Sequence, residues 1–363
     1  MARHNRLKIF WSKYKLTARI KVLIVIGLII LFVTPLRNLL IPGWPKTLKQ
    51  LSTFKVIRIH LVDLFFYVDR TQYDGPCQFV HEKLATVKMP KLSDMPIYDI
   101  QDWSRLAAKI KPSLSADQLE LLDNYKPSLT PFEQRYMLFA MLSATQAFAA
   151  FNITYFVSEG TLIGYWRHHG MIPWDDDVDI LFDSQQWPLA RQVLSCLPDL
   201  QLNMGSDYMW KLYHKDAELW QGESEIKFPF IDFFMYQQDS GHVWPICIWM
   251  KTEIILPREW ALPVIKGVFE GYPVFLPQQP AKVIDFHFGR VDSDCYSRTF
   301  LRRERFLVPV QERTHMPCTV LKDIYPFVSR NRIDRITGGV TEERVVASKV
   351  LSSFNTTYHG TLE

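Results

Sequence analysis

Glu159-Gly160-Thr161-Leu162-Ile163-Gly164-Tyr165-Trp166-Arg167-His168-His169-Gly170-Met171-Ile172-Pro173-Trp174-Asp175-Asp176-Asp177-Val178-Asp179-Ile180 holds four aspartates in its last six residues. Val178-Asp179-Ile180-Leu181-Phe182 reads as a buried strand, and alternation along it puts Asp177 and Asp179 on one face. Adjacent carboxylates repel, and each raises the other's pKa until a cation comes between them. An oxygen-only pair of this kind suits Mg2+ or Mn2+ better than Zn2+. A third carboxylate is available from Asp232, alone in the apolar run Phe230-Ile231-Asp232-Phe233-Phe234. Buried there, it needs a partner, a metal or an arginine. Blander readings stand beside these. Asp175 and Asp176 have the character of a solvated turn, Gly160-Thr161 of a tight turn, and His168-His169 of ordinary surface or phosphate contacts.

Elements of both kinds flank this stretch. Thr130 caps and Pro131 opens a helix that runs at 3.6-residue spacing to Phe151. Residues 153–157 then read as a strand. After the aspartates come a helix over 184–197 and strands over 210–214 and 228–236. Residues 256–280 are proline-rich and irregular, a closing helix follows over 281–288, and a polar tail begins near 306. Mixed order of this sort makes an α+β domain with a sheet flanked by helices. The expected organisation is a basic tail (1–21), a transmembrane signal anchor (22–41), a stem (42–130), a catalytic domain (131–305) and a C-terminal tail (306–363).

The anchor rests on charge and hydropathy. The chain has 363 residues and a net charge of +4. Every basic residue before Asp63 stands without an acidic one, so the remainder of the chain is net acidic. That distribution excludes a nucleic-acid-binding reading of the pI, while 24 Phe and 11 Trp exclude disorder for most of the chain. The uncharged run Val22–Leu36 falls short of the roughly 20 residues of a full span, but Lys21 and Arg37 can snorkel. A basic head before it implies a cytosolic N-terminus and a translocated body, a type II protein of the Golgi or endoplasmic reticulum membrane. Five scattered cysteines then allow one or two disulfides with one left over. Two acceptor sequons, at Asn152 and Asn355, are candidates for glycosylation.

Glu159–Ile180 also resembles the LicD/fukutin family, within the DNA-polymerase-β-like nucleotidyltransferases. The family pattern, roughly G-T-L-L-G-x-x-R-x-x-G-x-I-P-W-D-D-D-I-D, is met at Gly160, Thr161, Leu162, Gly164, Arg167, Gly170, Ile172, Pro173, Trp174, Asp175, Asp176, Asp177 and Asp179. Ile163 and Val178 are conservative departures, and Phe288 replaces a later tyrosine. The resemblance covers residues 132–290 and implies a nucleotidyltransferase-type sheet. It further implies a metal-dependent phosphotransferase that moves a phosphorylated alcohol, phosphocholine first, from a CDP-linked donor to a glycan or glycoprotein hydroxyl. Ribitol phosphate or a sugar phosphate is the alternative cargo, and an inactive lectin-like or scaffold relative the alternative class. By this resemblance Asp177, Asp179 and Asp232 would be the catalytic and metal-ligating triad, with Asp232 doubling as base. Gly160 and Thr161 would meet the donor phosphates, followed by Arg167 as a second clamp and Trp174 as a stacking surface.

Overall fold

The computed structural model describes residues 51, 53–96, 100–206, 208–251, 254–289, 291–334 and 339–357. The chain divides into two units, Met1–Tyr67 and Val68–Glu363. In the first, the described element is helix α1 (Thr53–Leu64). The basic tail and the anchor expected over 22–41 lie outside the described residues. Among those described, no helix is long and apolar enough to cross a membrane.

The second unit opens with helices α2 (Gln78–Leu84), α3 (Ile100–Ile110) and α4 (Ala116–Leu122). Ser115 caps α4 in a reciprocal box with Gln118. Helix α5 (Pro131–Ala150) starts as the sequence predicts. Thr130 Oγ1 accepts from the Glu133 N–H, and Glu133 accepts from the Thr130 N–H. Met137, Leu138, Met141, Ala144 and Phe148 of α5 are fully buried. Each large side chain among them contributes roughly 1.5–3 kcal/mol of burial.

Helix α5 packs on a mixed seven-stranded sheet. Strand β1 (Tyr155–Val157) leads into helix α6 (Glu159–His168) and strand β2 (Asp179–Asp183). Helix α7 (Trp187–Ser195) and strands β3 (Leu200–Asn203), β4 (Met209–Leu219) and β5 (Lys227–Gln238) follow. Strands lie in the order β1-β2-β5-β4-β3, with β6 (His242–Pro245) on β5 and β7 (Leu256–Pro257) on β6. The β2–β5 pair is parallel and the other pairs are antiparallel. The α+β fold expected from the sequence is therefore present.

Three segments depart from the sequence reading. Short helices α8 (Ile248–Lys251) and α9 (Arg258–Ala261) precede a hairpin of β8 (Ile265–Phe269) and β9 (Tyr272–Leu276). Residues 256–280 thus hold regular structure; their prolines hid a strand pairing in which alternate residues are buried. After α10 (Pro280–His287) come β10 (Asp294–Tyr296) and β11 (Phe300–Leu301), and the tail expected from 306 forms β12 (Phe306–Leu307) and β13 (His315–Pro317). A three-stranded sheet of β14 (Phe327–Asp334), β15 (Gly339–Val346) and β16 (Lys349–Thr357) ends it. Residues of the expected stem pack against this C-terminal part. Trp103, Leu122 and Tyr125 share a hydrophobic cluster with Trp174, Tyr325 and Phe327. Tyr125 Oη donates to the Cys295 carbonyl at 2.7 Å, and Tyr325 Oη to the Tyr125 carbonyl at 2.7 Å. Disulfides Cys77–Cys196 and Cys295–Cys318 fasten both segments, while Cys247 stays outside both and is buried.

Candidate active site

The four aspartates stand where the chain enters β2. Asp175 to Val178 precede the strand, which itself starts at Asp179, and the Val178 carbonyl accepts from the Asp232 N–H at 2.9 Å. A cavity of about 580 Å³ opens over this entry, with Asp175, Asp177 and Asp179 on its wall. Asp176 alternates away from it. Its Oδ2 accepts from the Arg302 backbone N–H at 3.1 Å and lies 3.5 Å from the Arg298 guanidinium. The turn reading of Asp175 and Asp176 therefore fails for Asp176, which is buried. Glu159, Gly160, Arg167, Trp174, His287, Arg298 and Arg302 also line it, with His287 Nε2 3.1 Å from Glu159 Oε2.

Helix α6 sets the spacing. Its first residue, Glu159, has a φ of +48°, a strained angle for a side chain with a Cβ. Gly160 follows because a Cβ there would stand 2.8 Å from Asp175 Oδ2. Thr161 Oγ1 accepts the Asp179 N–H at 2.8 Å, so the Gly-Thr turn holds the start of β2. Arg167 is committed inward. It donates to His168 Nε2 at 3.0 Å and to the Val291 carbonyl at 3.2 Å, and lies over Trp174. Burial lowers its pKa to about 10. Trp174 donates from Nε1 to the Tyr296 carbonyl at 3.0 Å. The paired histidines are not surface residues. His168 donates from Nδ1 to the Pro326 carbonyl at 2.7 Å, and burial with Arg167 keeps its pKa low and its ring neutral. His169 Nε2 meets Glu342 at 2.9 Å.

Asp232 sits in register with Asp179 across the parallel pair, and Lys211 of β4 sits in register with Asp232. Paired residues share a face, so Asp179, Asp232 and Lys211 form a row across three strands. Lys211 Nζ donates to Asp232 Oδ1 at 2.5 Å. The partner demanded by the buried Asp232 is thus a lysine, which the sequence reading missed. Its only mark in the sequence is a cation in the apolar run Met209-Trp210-Lys211-Leu212-Tyr213.

A second cation was missed at Arg302, which follows β11. Its guanidinium donates to Asp177 Oδ2. Burial opposes the Arg302 charge, but Asp177, Asp232 and Asp179 together raise its pKa above the ordinary value. Burial also raises the Asp179 pKa well above the carboxylate range; Asp177, Asp232 and Glu159 add to the rise and Arg302 opposes it. Asp175 is raised in the same way, by burial and then by Asp177 and Asp176.

Among the described residues no three acidic, histidine or cysteine side chains stand together as a ready metal site. The donor chemistry still fits a hard divalent cation. Asp175, Asp177 and Asp179 line one cavity, and burial, with neighbouring carboxylates after it, penalises the charged forms of Asp175 and Asp179, a penalty a cation would relieve. What the arrangement lacks is a free triad, because Arg302 holds Asp177 and Lys211 holds Asp232.

Strand β1, helix α6 and strand β2 follow one another in that order, and α6 and the entry to β2 line one cavity. Residues 152–279 match the LicD/FKTN/FKRP nucleotidyltransferase domain. Within the curated proteins, a 60-residue stretch is 38% identical to the lipopolysaccharide cholinephosphotransferase LicD of Haemophilus influenzae. That match takes 16% of this chain and 23% of the bacterial protein. The LicD-type domain therefore supplies Gly160, Thr161, the aspartates and Asp232, whereas Arg298 and Arg302 come from beyond its end. Asn152 and Asn355 are exposed; Asn355 Oδ1 accepts from Thr341 Oγ1 at 3.0 Å.

Proposed function

We propose that this protein is a phosphotransferase that moves a phosphorylated alcohol, phosphocholine first, from a CDP-linked donor to a glycan hydroxyl. The observation that carries the reading is the polarity of the cavity, acidic at Asp175, Asp177 and Asp179 and basic at Arg298 and Arg302. A donor pyrophosphate needs cations beside it, and a transferred phosphoryl group needs in-line room for the attacking hydroxyl. In the reaction the acceptor oxygen bonds to the distal phosphorus while the bond to CMP breaks. The hydroxyl proton passes to a carboxylate. Asp232, the base suggested by resemblance, is tied to Lys211 and is not on the cavity wall. Asp179 is on the wall, and burial beside other carboxylates raises its pKa, which makes it the stronger proton acceptor. Asp177 and Asp179, with Asp175, are the residues to hold Mg2+ or Mn2+, which when bound supplies charge neutralisation at the pyrophosphate.

The placement proposed is a single-pass type II protein with its body in the Golgi or endoplasmic reticulum lumen. The basic head before Val22–Leu36 supports it, as do two disulfides in the body, since such bonds persist in oxidising compartments. The test is incubation of the full chain with CDP-choline, CDP-ribitol and a nucleotide-linked sugar phosphate donor, each with Mg2+ or Mn2+ and a glycan mixture. CMP release that depends on acceptor and cation is expected. No release with any donor, alongside retained glycan binding, would establish the scaffold reading instead.

A further inference from the structure

Arg302 does more than lend the cavity its basic charge. Its guanidinium sits on Asp177, within electrostatic reach of Asp179 and Asp232. Yet its Nε is buried with no hydrogen-bond acceptor among the described residues. An unspent N–H on a buried guanidinium is costly, on the order of 1–3 kcal/mol, unless an oxygen comes to meet it. Arg302 lines the cavity, and so does Arg298.

The segment that carries them is built to hold them still. The hairpin β11–β12 turns at residues 302–305, where Arg305 has a φ of +54°. Trp220 Nε1 donates to the Arg302 carbonyl at 2.6 Å, and Asp176 accepts the Arg302 N–H at 3.1 Å. Asp176 also faces Arg298. One aspartate of the Asp175–Asp177 run thus clamps the backbone of the hairpin, while its neighbour Asp177 takes the guanidinium.

We propose that Arg302, with Arg298 beside it, forms a phosphate-binding subsite for the donor's pyrophosphate, and that Arg302 shares its guanidinium between Asp177 and a phosphate oxygen. The subsite lies outside residues 152–279, so the matched domain is completed by a hairpin from later in the chain. Two arginines offer the fork geometry that suits phosphate oxygens. This inference rests on the donor being a nucleotide diphosphate, as proposed above.

The experiment is equilibrium dialysis of labelled CDP against the full chain, first in EDTA and then with Mg2+. Arg302→Gln should weaken CDP binding about ten- to hundredfold in both buffers. Arg302→Lys should recover part of the loss, and the exposed Lys349→Gln should bind CDP as wild type does. A role as a mere brace for Asp177 is separated by a cycle. Asp177→Asn should tighten CDP binding in EDTA, and Arg302→Gln on top should remove that gain. Equal CDP affinity in wild type and Arg302→Gln, or no CDP binding by wild type, overturns the subsite. Kinetics separate the two readings. If CDP-linked donors are turned over with donor KM unchanged in Arg302→Gln, the transferase stands and the subsite falls. If CDP binds through Arg302 but no donor is turned over, the subsite stands and the transferase falls.

Discussion

At the scale of single residues, Asp179 and Asp232 look alike in sequence and differ in their surroundings. Asp179 is buried beside other carboxylates, so Asp179→Asn removes repulsion. It should leave the melting temperature unchanged or raised in EDTA, and abolish transfer. Asp232→Asn instead strands Lys211, which is 8% exposed. Leaving one partner of a buried pair uncompensated costs about 3–5 kcal/mol, so this variant should melt well below wild type, and Asp232→Asn with Lys211→Met should recover stability. Asp176 carries a pH signature. Burial, and then Asp177, raise its pKa to about 6, above the ordinary carboxylate value of the unfolded chain. The folded state therefore binds this proton more tightly. Its ionisation penalty is absent below about pH 4 and complete above about pH 6, so stability falls as pH rises through that window, by about 3 kcal/mol. Asp175 and Asp179 push in the same direction. Denaturant unfolding between pH 4 and pH 7 should show the fall, and Asp176→Asn should reduce it; a stability that rises across this range would contradict the assignment.

At the scale of elements, two glycines of α6 separate packing from chemistry. A Cβ on Gly164 would lie 2.5 Å from the Gly170 carbonyl oxygen, which is backbone and cannot step aside. Gly164→Ala should destabilise by about 1–3 kcal/mol in a thermal melt. A Cβ on Gly160 would meet only the tip of Asp175, which can rotate. Gly160→Ala should keep its melting temperature and lose activity, because the carboxylate is pushed from the cavity wall. Both glycines were visible in the sequence, as were α5, β2 and β5, since each of these elements declares itself by a cap, a period or an unbroken apolar run. The hairpin of β8 and β9 was not visible, because prolines at 263 and 273 mask its alternation. Lys211 and Arg302 escaped for another reason. Each is an ordinary cation in its own segment, and only strand register or a hairpin turn carries it to an aspartate far away in the chain. Sequence patterns report local periodicity, whereas ion pairs across a fold depend on tertiary placement that no local pattern encodes.

At the scale of the whole molecule, a buried carboxylate is one of the ties between the C-terminal sheet and the matched residues 152–279. Glu342 of β15 is 0% exposed; its Oε1 takes Arg330 Nε at 2.7 Å and its Oε2 meets His169 Nε2 at 2.9 Å. His169 caps the end of α6, the helix whose other end holds Glu159 and Gly160 at the cavity. Arg330 also donates to the Trp166 carbonyl and lies over the Trp166 ring. A residue far beyond the matched domain is therefore wired to the helix that shapes the site. Glu342→Gln keeps the shape but removes the charge that balances Arg330, so it should lower stability by about 3–5 kcal/mol. The loss should be local before it is global. Limited proteolysis should cut β14–β16 first, while the Cys295–Cys318 disulfide holds the preceding segment in place. Transfer should fall with it, because α6 loses its C-terminal anchor and the Glu159–Gly160 end shifts against Asp175. A Glu342→Gln protein with wild-type melting, wild-type protease resistance and full activity would show that the C-terminal sheet is an appendage rather than a support.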